Sequence, residues 1–380
     1  MRGGEKCLEV LCEIFPDADL YTLVHRKGSV SPVIEAHPIR ESWLARLPAG
    51  RSQYRAYVPL YPRAIESFDL SRYDLVVSSS HCAAKGVLTR ADTLHVCYCY
   101  TPARYFWDLY GEYFGPGRSG RLERALASWA AHRFRLWDRV SADRVDFYVA
   151  ISRHVADRIA KHYRRPARVV YPPVDTRAFT PGPASPASVR DPFLVVSALV
   201  PYKGVDLAIR VANRMRVPLR VVGTGPDERR LRALAGPTVS FHGWLAPDQL
   251  RDAYRSCRAL LQAHEEDFGI APLEAMACGK PVIALRRGGG CEVVVPGTGI
   301  LIDEATEEAL GEAMRSFDPR SYEAAVLRGR AMEFDREVFK DRLRSLILDA
   351  FEAFHRRRDD AGALDRLART PCSAPENPVD

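Results

Sequence analysis

Glu265–Pro281, EEDFGIAPLEAMACGKP, runs directly into the apolar segment PVIAL. Glu266 and Glu274 stand in it with seven residues between them, among them Gly269 and Pro272. Glycine supplies the sharp bend where a strand end meets a helix start, and proline suits the first helical turn, where a missing N–H is no loss. The free amides of such a helix start point toward any anion bound there. Two glutamates at helix-compatible spacing are commonly a solvated face, but the residues between these two are mostly apolar or small. The stretch therefore reads as a strand–turn–helix corner that faces phosphate and is flanked by two acids.

Outward from this corner the same alternation extends back to Asp191: FLVVSAL, a helix from Val205, LRVVGTG, a helix near Asp227–Leu234, VSFHG, a helix from Pro247, and ALLQA. Strands alternating regularly with helices give a parallel sheet covered on both faces, and ligands of such sheets bind beyond the carboxyl ends of the strands. The loops at those ends carry the chemistry. Lys203, in Val200-Pro201-Tyr202-Lys203-Gly204, is placed to meet a phosphate as a point charge. Gly225 and Gly243, in Thr224-Gly225-Pro226 and His242-Gly243-Trp244, let backbone approach a flat nucleobase. Arg286-Arg287-Gly288-Gly289-Gly290 reads as a further phosphate-sized turn. With the paired glutamates, these loops suggest a nucleotide diphosphate.

In the N-terminal half, strands are expected at Asp19–Val24, Asp74–Ser79, His95–Tyr100, Phe147–Ile151 and Val169–Tyr171, with loops and short helices over residues 40–68. Ser152 is a good N-cap for a following helix. Gly3-Gly4 open a helical pattern with no strand before them. Residues 120–140 carry Arg121, Arg124, Arg133, Arg135 and Arg139 beside Trp129, Phe134 and Trp137. A basic–aromatic amphipathic helix of this kind suits an anionic membrane surface, and equally suits packing on its own sheet with solvated arginines. Pro172, Pro173, Pro181, Pro183 and Pro186 mark a linker. The expected organisation is an N-terminal domain over residues 1–180, a linker over 181–190, a nucleotide-binding domain over 191–320, C-terminal helices over 321–358 and a disordered tail over 359–380.

The 380 residues suffice for two cores, and 47% hydrophobic with 27% charged residues is a globular composition. A formal charge of +7, with bases scattered among acids, carries no nucleic-acid groove signature. No run approaches the roughly 18–20 apolar residues of a membrane span, and the N-terminus lacks the apolar core of a signal peptide. The nine cysteines show no metal-type CxxC spacing. Cys97 and Cys99 read as small core residues. These features point to the cytoplasm.

VSALVPYKGVDLAI, VVGTGPDERRL, FHGWL and EEDFGIAPLEAMACGKPVIA resemble family 4 of the retaining glycosyltransferases. That resemblance implies an α/β fold of GT-B architecture, two facing Rossmann-like domains with a cleft between. FPDADLYTLVH, YDLVVSSSHCAAKGVL, CYCYTPARYFWDLY, FYVAISRHVADRI and VVYPPVDT resemble the branch that holds bacterial mannosyltransferases of surface-polysaccharide assembly. The resemblance covers residues 1 to about 350. It implies that Glu274 binds ribose hydroxyls, Glu266 the transferred sugar, Lys203 the diphosphate and backbone around Gly243 the base. Gly204, Gly225, Phe268, Gly269 and Ile270 join the donor-binding set, and Gly3-Gly4 form a phosphate-side loop of the N-terminal domain.

Three departures stand out. Ala198 occupies the place where relatives usually have an arginine, Tyr100 a place where some have histidine, and relatives carry a first strand before the Gly-Gly loop. The N-terminal domain thus reads as lacking its first strand, and the expectation is a start upstream of Met1. His81, closing a strand, is the candidate for a sugar-side or acceptor-side contact, with Arg104, Asp108 and Arg153 behind it. No DxD stands at a strand end, and Asp17 and Asp19 read as turn residues, so no metal and no cofactor are expected. The implied reaction is retaining transfer from a nucleotide-sugar donor, GDP-mannose, to a lipid-linked glycan or oligosaccharide acceptor at the inner membrane face. A nucleotide-sugar epimerase and an inactive, truncated binding paralogue are the competing readings.

Overall fold

Short apolar strands alternating with helices sort the chain into two units. The computed structural model describes residues 3–108, 110–111, 121–182, 191–356, 360 and 362–370, with backbone alone for 121–126. The first unit runs to Tyr171 and takes up the chain again from Lys340, and the second holds Pro172–Phe339. The helix Arg336–His355 thus starts in one unit and continues in the other.

In the first unit, β1 (Leu20–Thr22) and β2 (Ile39–Glu41) form a separate parallel pair. β3 (Leu75–Ser80), β4 (Leu94–Cys99), β5 (Phe147–Ala150) and β6 (Ala167–Val169) form a parallel sheet in that order. Every residue of β4 and β5 is buried, as expected of parallel strands covered on both faces. β2 escapes sequence reading because Ile-Arg-Glu is too short to show a period. The helix Arg121–Ala142 packs Ala131 and Phe134 inward, with Phe134 stacked on Phe106 at 4.2 Å between centroids.

His95 lies wholly buried on β4, with Nε2 2.9 Å from Ser78 Oγ and Nδ1 3.3 Å from the Arg144 carbonyl. Burial lowers its pKa from 6.5 to about 4; the Arg144 hydrogen bond opposes the shift and Lys85 adds to it. Between those values the unfolded chain binds the proton that the folded chain refuses, so stability rises with pH through the window and is lost on acidification. The urea midpoint is expected to fall between pH 6.5 and 4. The slope from this group is up to about 1.4 kcal/mol per pH unit, and His95→Asn removes it. Equal slopes in the two proteins would refute the assignment.

The second unit is one six-stranded parallel sheet. Its strands are β7 (Phe193–Val196), β8 (Leu219–Val222), β9 (Val239–Phe241), β10 (Leu260–Gln262), β11 (Val282–Leu285) and β12 (Gly299–Ile302), in the order β12-β11-β10-β7-β8-β9. Phe193, Val195, Val221, Leu261 and Ile283 pack against Ala208, Ile209 and Ala212 of the helix Val205–Met215. β12 was not expected, since four residues after a glycine give too little pattern. Strand order reverses between β7 and β10, the switch point at which such sheets open a crevice.

The C-terminal segment corrects another expectation. Residues 363–369, assigned to a disordered tail, form the helix Ala363–Arg369; Ala368 is buried and the Leu367 carbonyl accepts from Arg168 of β6. Anchoring by one small buried residue and one backbone acceptor leaves little trace in composition. Pro183 and Pro186 of the expected linker lie outside the described residues.

Candidate functional site

β7 and β10 lie side by side, and their connections leave toward opposite edges of the sheet. After β7 the chain makes the 3₁₀ turn Pro201–Lys203, reverses at Gly204 (φ 58°) and enters the helix Val205–Met215. After β10 it runs through Ala263–Phe268, bends at Gly269 (φ 95°) and enters the helix Ile270–Ala277. Only glycine adopts such a φ without strain, so the bend anticipated from sequence lies at that residue.

These two connections bring the Lys203 ammonium against the Glu266 carboxylate as an ion pair, their side chains 12% and 21% exposed. His264 Nε2 lies 3.4 Å from Glu266 Oε1. A carboxylate in this position can accept from sugar hydroxyls, and an ammonium can meet a phosphate. Phe268 is buried, its ring 5.7 Å from that of Phe334, which fixes the backbone between Glu266 and the bend. Ile270 opens the helix and is half-buried.

Glu274 sits on the next turn of that helix, 5% exposed, and accepts a hydrogen bond of 2.8 Å from the Tyr254 hydroxyl. Tyr254 is fully buried; burial and the Glu274 charge raise its pKa well above 10, so it remains a donor. Pro272–Ala277 are all buried, in keeping with the apolar character of the sequence between the two acids.

The loop after β11 also has a packing use. Gly289 N–H donates to the Glu266 carbonyl at 2.8 Å, Gly288 forms an isolated bridge with Glu266, and a Cβ on Gly289 would strike the Phe268 backbone. These glycines let two backbones meet and hold the acid-bearing segment in place. Gly225 similarly backs onto the Leu199 backbone, and Gly223 N–H donates to the Gly243 carbonyl at 2.7 Å, tying the loops after β8 and β9 together. Gly243 faces open space, and Trp244 beside it is 70% exposed.

Lys203, Gly204, Glu266, Phe268, Gly269 and Ile270 therefore gather at the β7/β10 switch point, and Gly225 and Gly243 at the adjoining strand ends. The remaining candidates belong to the first unit. Gly3 and Gly4 form the first turn of the helix Gly3–Ile14, and the Gly4 carbonyl accepts from the Tyr100 hydroxyl at 2.9 Å. Tyr100 also lies 2.8 Å from Ser79 Oγ, and burial raises its pKa well above 10, which makes it a strut rather than a proton carrier. His81, just past β3, is exposed; crowding by surrounding protein lowers its pKa, Glu5 opposes the shift and Arg55 adds to it. Asp108 is ion-paired to Arg158 and lies 3.5 Å from His162. Although its partial burial opposes this, the hydrogen bond to His162 and the Arg158 charge hold its carboxyl at about 2. Arg104 is half-buried and Arg153 exposed. Among the described residues no group of three or more His, Cys, Asp and Glu side chains is placed to hold a metal ion.

Comparison with known proteins bears on the family and the fold. Residues 11–178 match the family model described as Glycosyltransferase Family 4, and residues 187–321 match that of the Glycosyl transferases group 1. The chain thus carries a Glycosyltransferase Family 4 match followed by a Glycosyl transferases group 1 match. Among its curated relatives, a D-inositol 3-phosphate glycosyltransferase of Acidothermus cellulolyticus is 36% identical over 36% of this chain and 37% of its own. A GDP-mannose-dependent alpha-(1-6)-phosphatidylinositol monomannoside mannosyltransferase of Mycolicibacterium smegmatis is 32% identical over 52% of this chain and 60% of its own. The chain thus spans about half the length of the curated relatives it matches. Among solved structures, sucrose-phosphate synthase from Thermosynechococcus elongatus superposes with a TM-score of 0.68 at 18% identity, over 91% of this chain and 92% of its own. Anabaena HepE in complex with UDP gives 0.64 at 17%, over 90% and 95%. These likenesses show the GT-B fold expected from sequence.

Sequence reading of this candidate site missed Tyr254 and His264. His264 stands two residues before Glu266 and was legible as a neighbour of the acid. Tyr254 reaches Glu274 through helix packing and left no signal in the chain.

Proposed function

We propose that the chain is a retaining glycosyltransferase that moves mannose from GDP-mannose onto a lipid-linked glycan at the inner face of the cell membrane. The observation that carries this reading is the pairing of Lys203 with Glu266 at the switch point, with Glu274 buried one helical stretch behind. The names of the mannosyltransferase relatives support the donor, and their phosphatidylinositol acceptors support a lipid-borne one. UDP in the HepE structure supports a nucleotide-bearing donor.

In this reading Lys203 exchanges Glu266 for the donor diphosphate, and Glu266 turns to the sugar hydroxyls. The bond between the anomeric carbon and phosphate oxygen breaks, and the growing negative charge on the diphosphate is met by Lys203 and helix-terminal amides. An acceptor hydroxyl bonds to the same face of the sugar, and its proton passes to the leaving phosphate. Glu274, held by Tyr254, accepts from the ribose, and Trp244 lies beside the loop for the base. His81 serves the sugar or acceptor side. No resident metal takes part.

Calorimetric titration with GDP-mannose, UDP-glucose and ADP-glucose tests the donor. Selective binding of GDP-mannose is expected, and Glu274→Ala weakens it about 10–100-fold, the range for losing a hydrogen bond to a charged group. Preference for another nucleotide sugar would overturn the donor assignment. Absence of all binding would favour the inactive paralogue, and turnover of donor without any acceptor would favour the epimerase.

A further inference from the structure

One face of the helix Arg121–Ala142 is apolar where solvent should make it polar. Trp129, Leu136 and Val140 are 64%, 51% and 62% exposed. With Arg133 they fall at intervals of four, three and four residues, one continuous stripe on the side opposite the buried Ala131 and Phe134. The stripe covers about 16 Å of helix at 1.5 Å per residue. Isolated exposed apolar residues need no explanation, but a periodic row on one helix face does.

The charges on that face have one sign. Arg133 is exposed with its guanidinium 5.8 Å from the Trp129 ring centroid, and exposed His132 adjoins it. Among the described side chains of the helix the only acid is Asp138, which is wholly buried. Asp143, just past the helix end, is neutralised by Arg139 at 2.8 Å. Among the described residues, no helix is long and apolar enough to cross a membrane. A row of tryptophan and aliphatic side chains with an arginine among them, and no unpaired acid among the described side chains of the helix, matches a lipid interface, where indole rings sit at the headgroup level and cations meet anionic lipid. We infer that the stripe Trp129–Arg133–Leu136–Val140 docks the first unit on an anionic bilayer, with the three apolar side chains entering the headgroup boundary. The docking needs neither donor nor acceptor, so it stands independently of the proposed reaction.

The experiment is co-sedimentation of the whole chain, without nucleotide, with phosphatidylcholine vesicles containing or lacking phosphatidylglycerol. Binding is expected to the anionic vesicles alone. The triple variant W129S/L136S/V140S lowers the partition coefficient at least about tenfold, because apolar area no longer leaves water. Arg133→Glu weakens binding at low salt more than at high salt. All four positions face solvent, so both variants retain the wild-type unfolding midpoint, which shows that the fold is intact. Wild-type protein left in the supernatant with anionic vesicles, or a triple variant that binds as well as wild type, overturns the inference. So does sedimentation equilibrium showing a dimer that the triple variant dissolves, which would assign the face to a second copy of the chain. Failure of nucleotide titration with vesicle binding intact would sink the proposed reaction and leave the docking face standing.

Discussion

Lys203→Met is expected to lower the transfer rate about 100–1,000-fold, the range for removing one group that stabilises charge developing in a transition state. Lys203 ends the 3₁₀ turn Pro201–Lys203, its ammonium 5.3 Å from the Tyr202 ring centroid and engaged with Glu266. With little solvent around either side chain, their attraction is screened less than that of a surface pair. A methionine there removes the positive charge and leaves the Glu266 carboxylate facing an incoming diphosphate of the same sign. Two effects are thereby mixed, lost stabilisation and new repulsion. The double variant Lys203→Met with Glu266→Gln separates them, because it removes the repulsion and leaves the stabilisation absent. The double variant is expected to regain part of the donor affinity and none of the rate. Ala198, exposed in the same loop, adds no charge that could stand in for Lys203. Transfer by Lys203→Met within threefold of wild type would refute the role assigned to this lysine.

The site was legible in the sequence to the extent that its geometry is local. Glu266, Gly269 and Glu274 lie within one strand–turn–helix corner, and the glycine bend and apolar filling predicted both its shape and its burial. Lys203 was found because strand ends of a parallel sheet converge on one edge, and its loop follows a strand as clear as FLVV. What sequence could not supply is long-range packing. The close approach of the Arg286–Gly290 loop to Glu266 and Phe268 depends on β10 and β11 being neighbours, which a phosphate-sized turn in the sequence does not reveal. The Tyr254–Glu274 hydrogen bond depends likewise on the mutual phase of two helices. β2 and β12 fell below the length at which alternation can be told from chance. The helix Ala363–Arg369 is held by contacts with β6 rather than by its own composition. For the Arg121–Ala142 helix, the arginine count alone left two readings open, because solvated arginines fit both a packed helix and a membrane-facing one. Solvent exposure now shows a helix that packs on one side and presents an apolar stripe on the other.

Asp138→Ala is expected to destabilise the first unit by about 3–5 kcal/mol, the cost of leaving a buried ion without its partner. Asp138 is on the inward face of that same helix with no solvent exposure, and Lys85 on the 3₁₀ turn Ala84–Gly86 is 1% exposed. The Lys85 ammonium lies 3.0 Å from Asp138 Oδ1 and donates to the Asp138 carbonyl at 2.7 Å and to Ser141 Oγ at 2.8 Å. Asp138 Oδ2 accepts from Trp107 Nε1 at 2.8 Å and from the Tyr163 hydroxyl at 3.0 Å. Alanine would strand the ammonium beneath the Tyr163 ring, whose centroid is 4.8 Å away, and would leave two further donors without an acceptor. Asp138→Asn keeps an acceptor for one of them and is expected to lose less. The double replacement Lys85→Met with Asp138→Leu is expected to recover part of the stability, since it removes the stranded charge but leaves the Trp107 and Tyr163 donors without their acceptor. Urea unfolding of the three variants measures these differences, and a loss below about 1 kcal/mol in Asp138→Ala would show that the pair is not the anchor argued here. The same pair sets the rotation of the helix: with Asp138, Phe134 and Ala131 turned inward, Trp129, Leu136 and Val140 have no direction left but outward. In the double replacement the rotation is kept by apolar packing, so vesicle binding is expected to survive there and to fall in Asp138→Ala as the helix loosens.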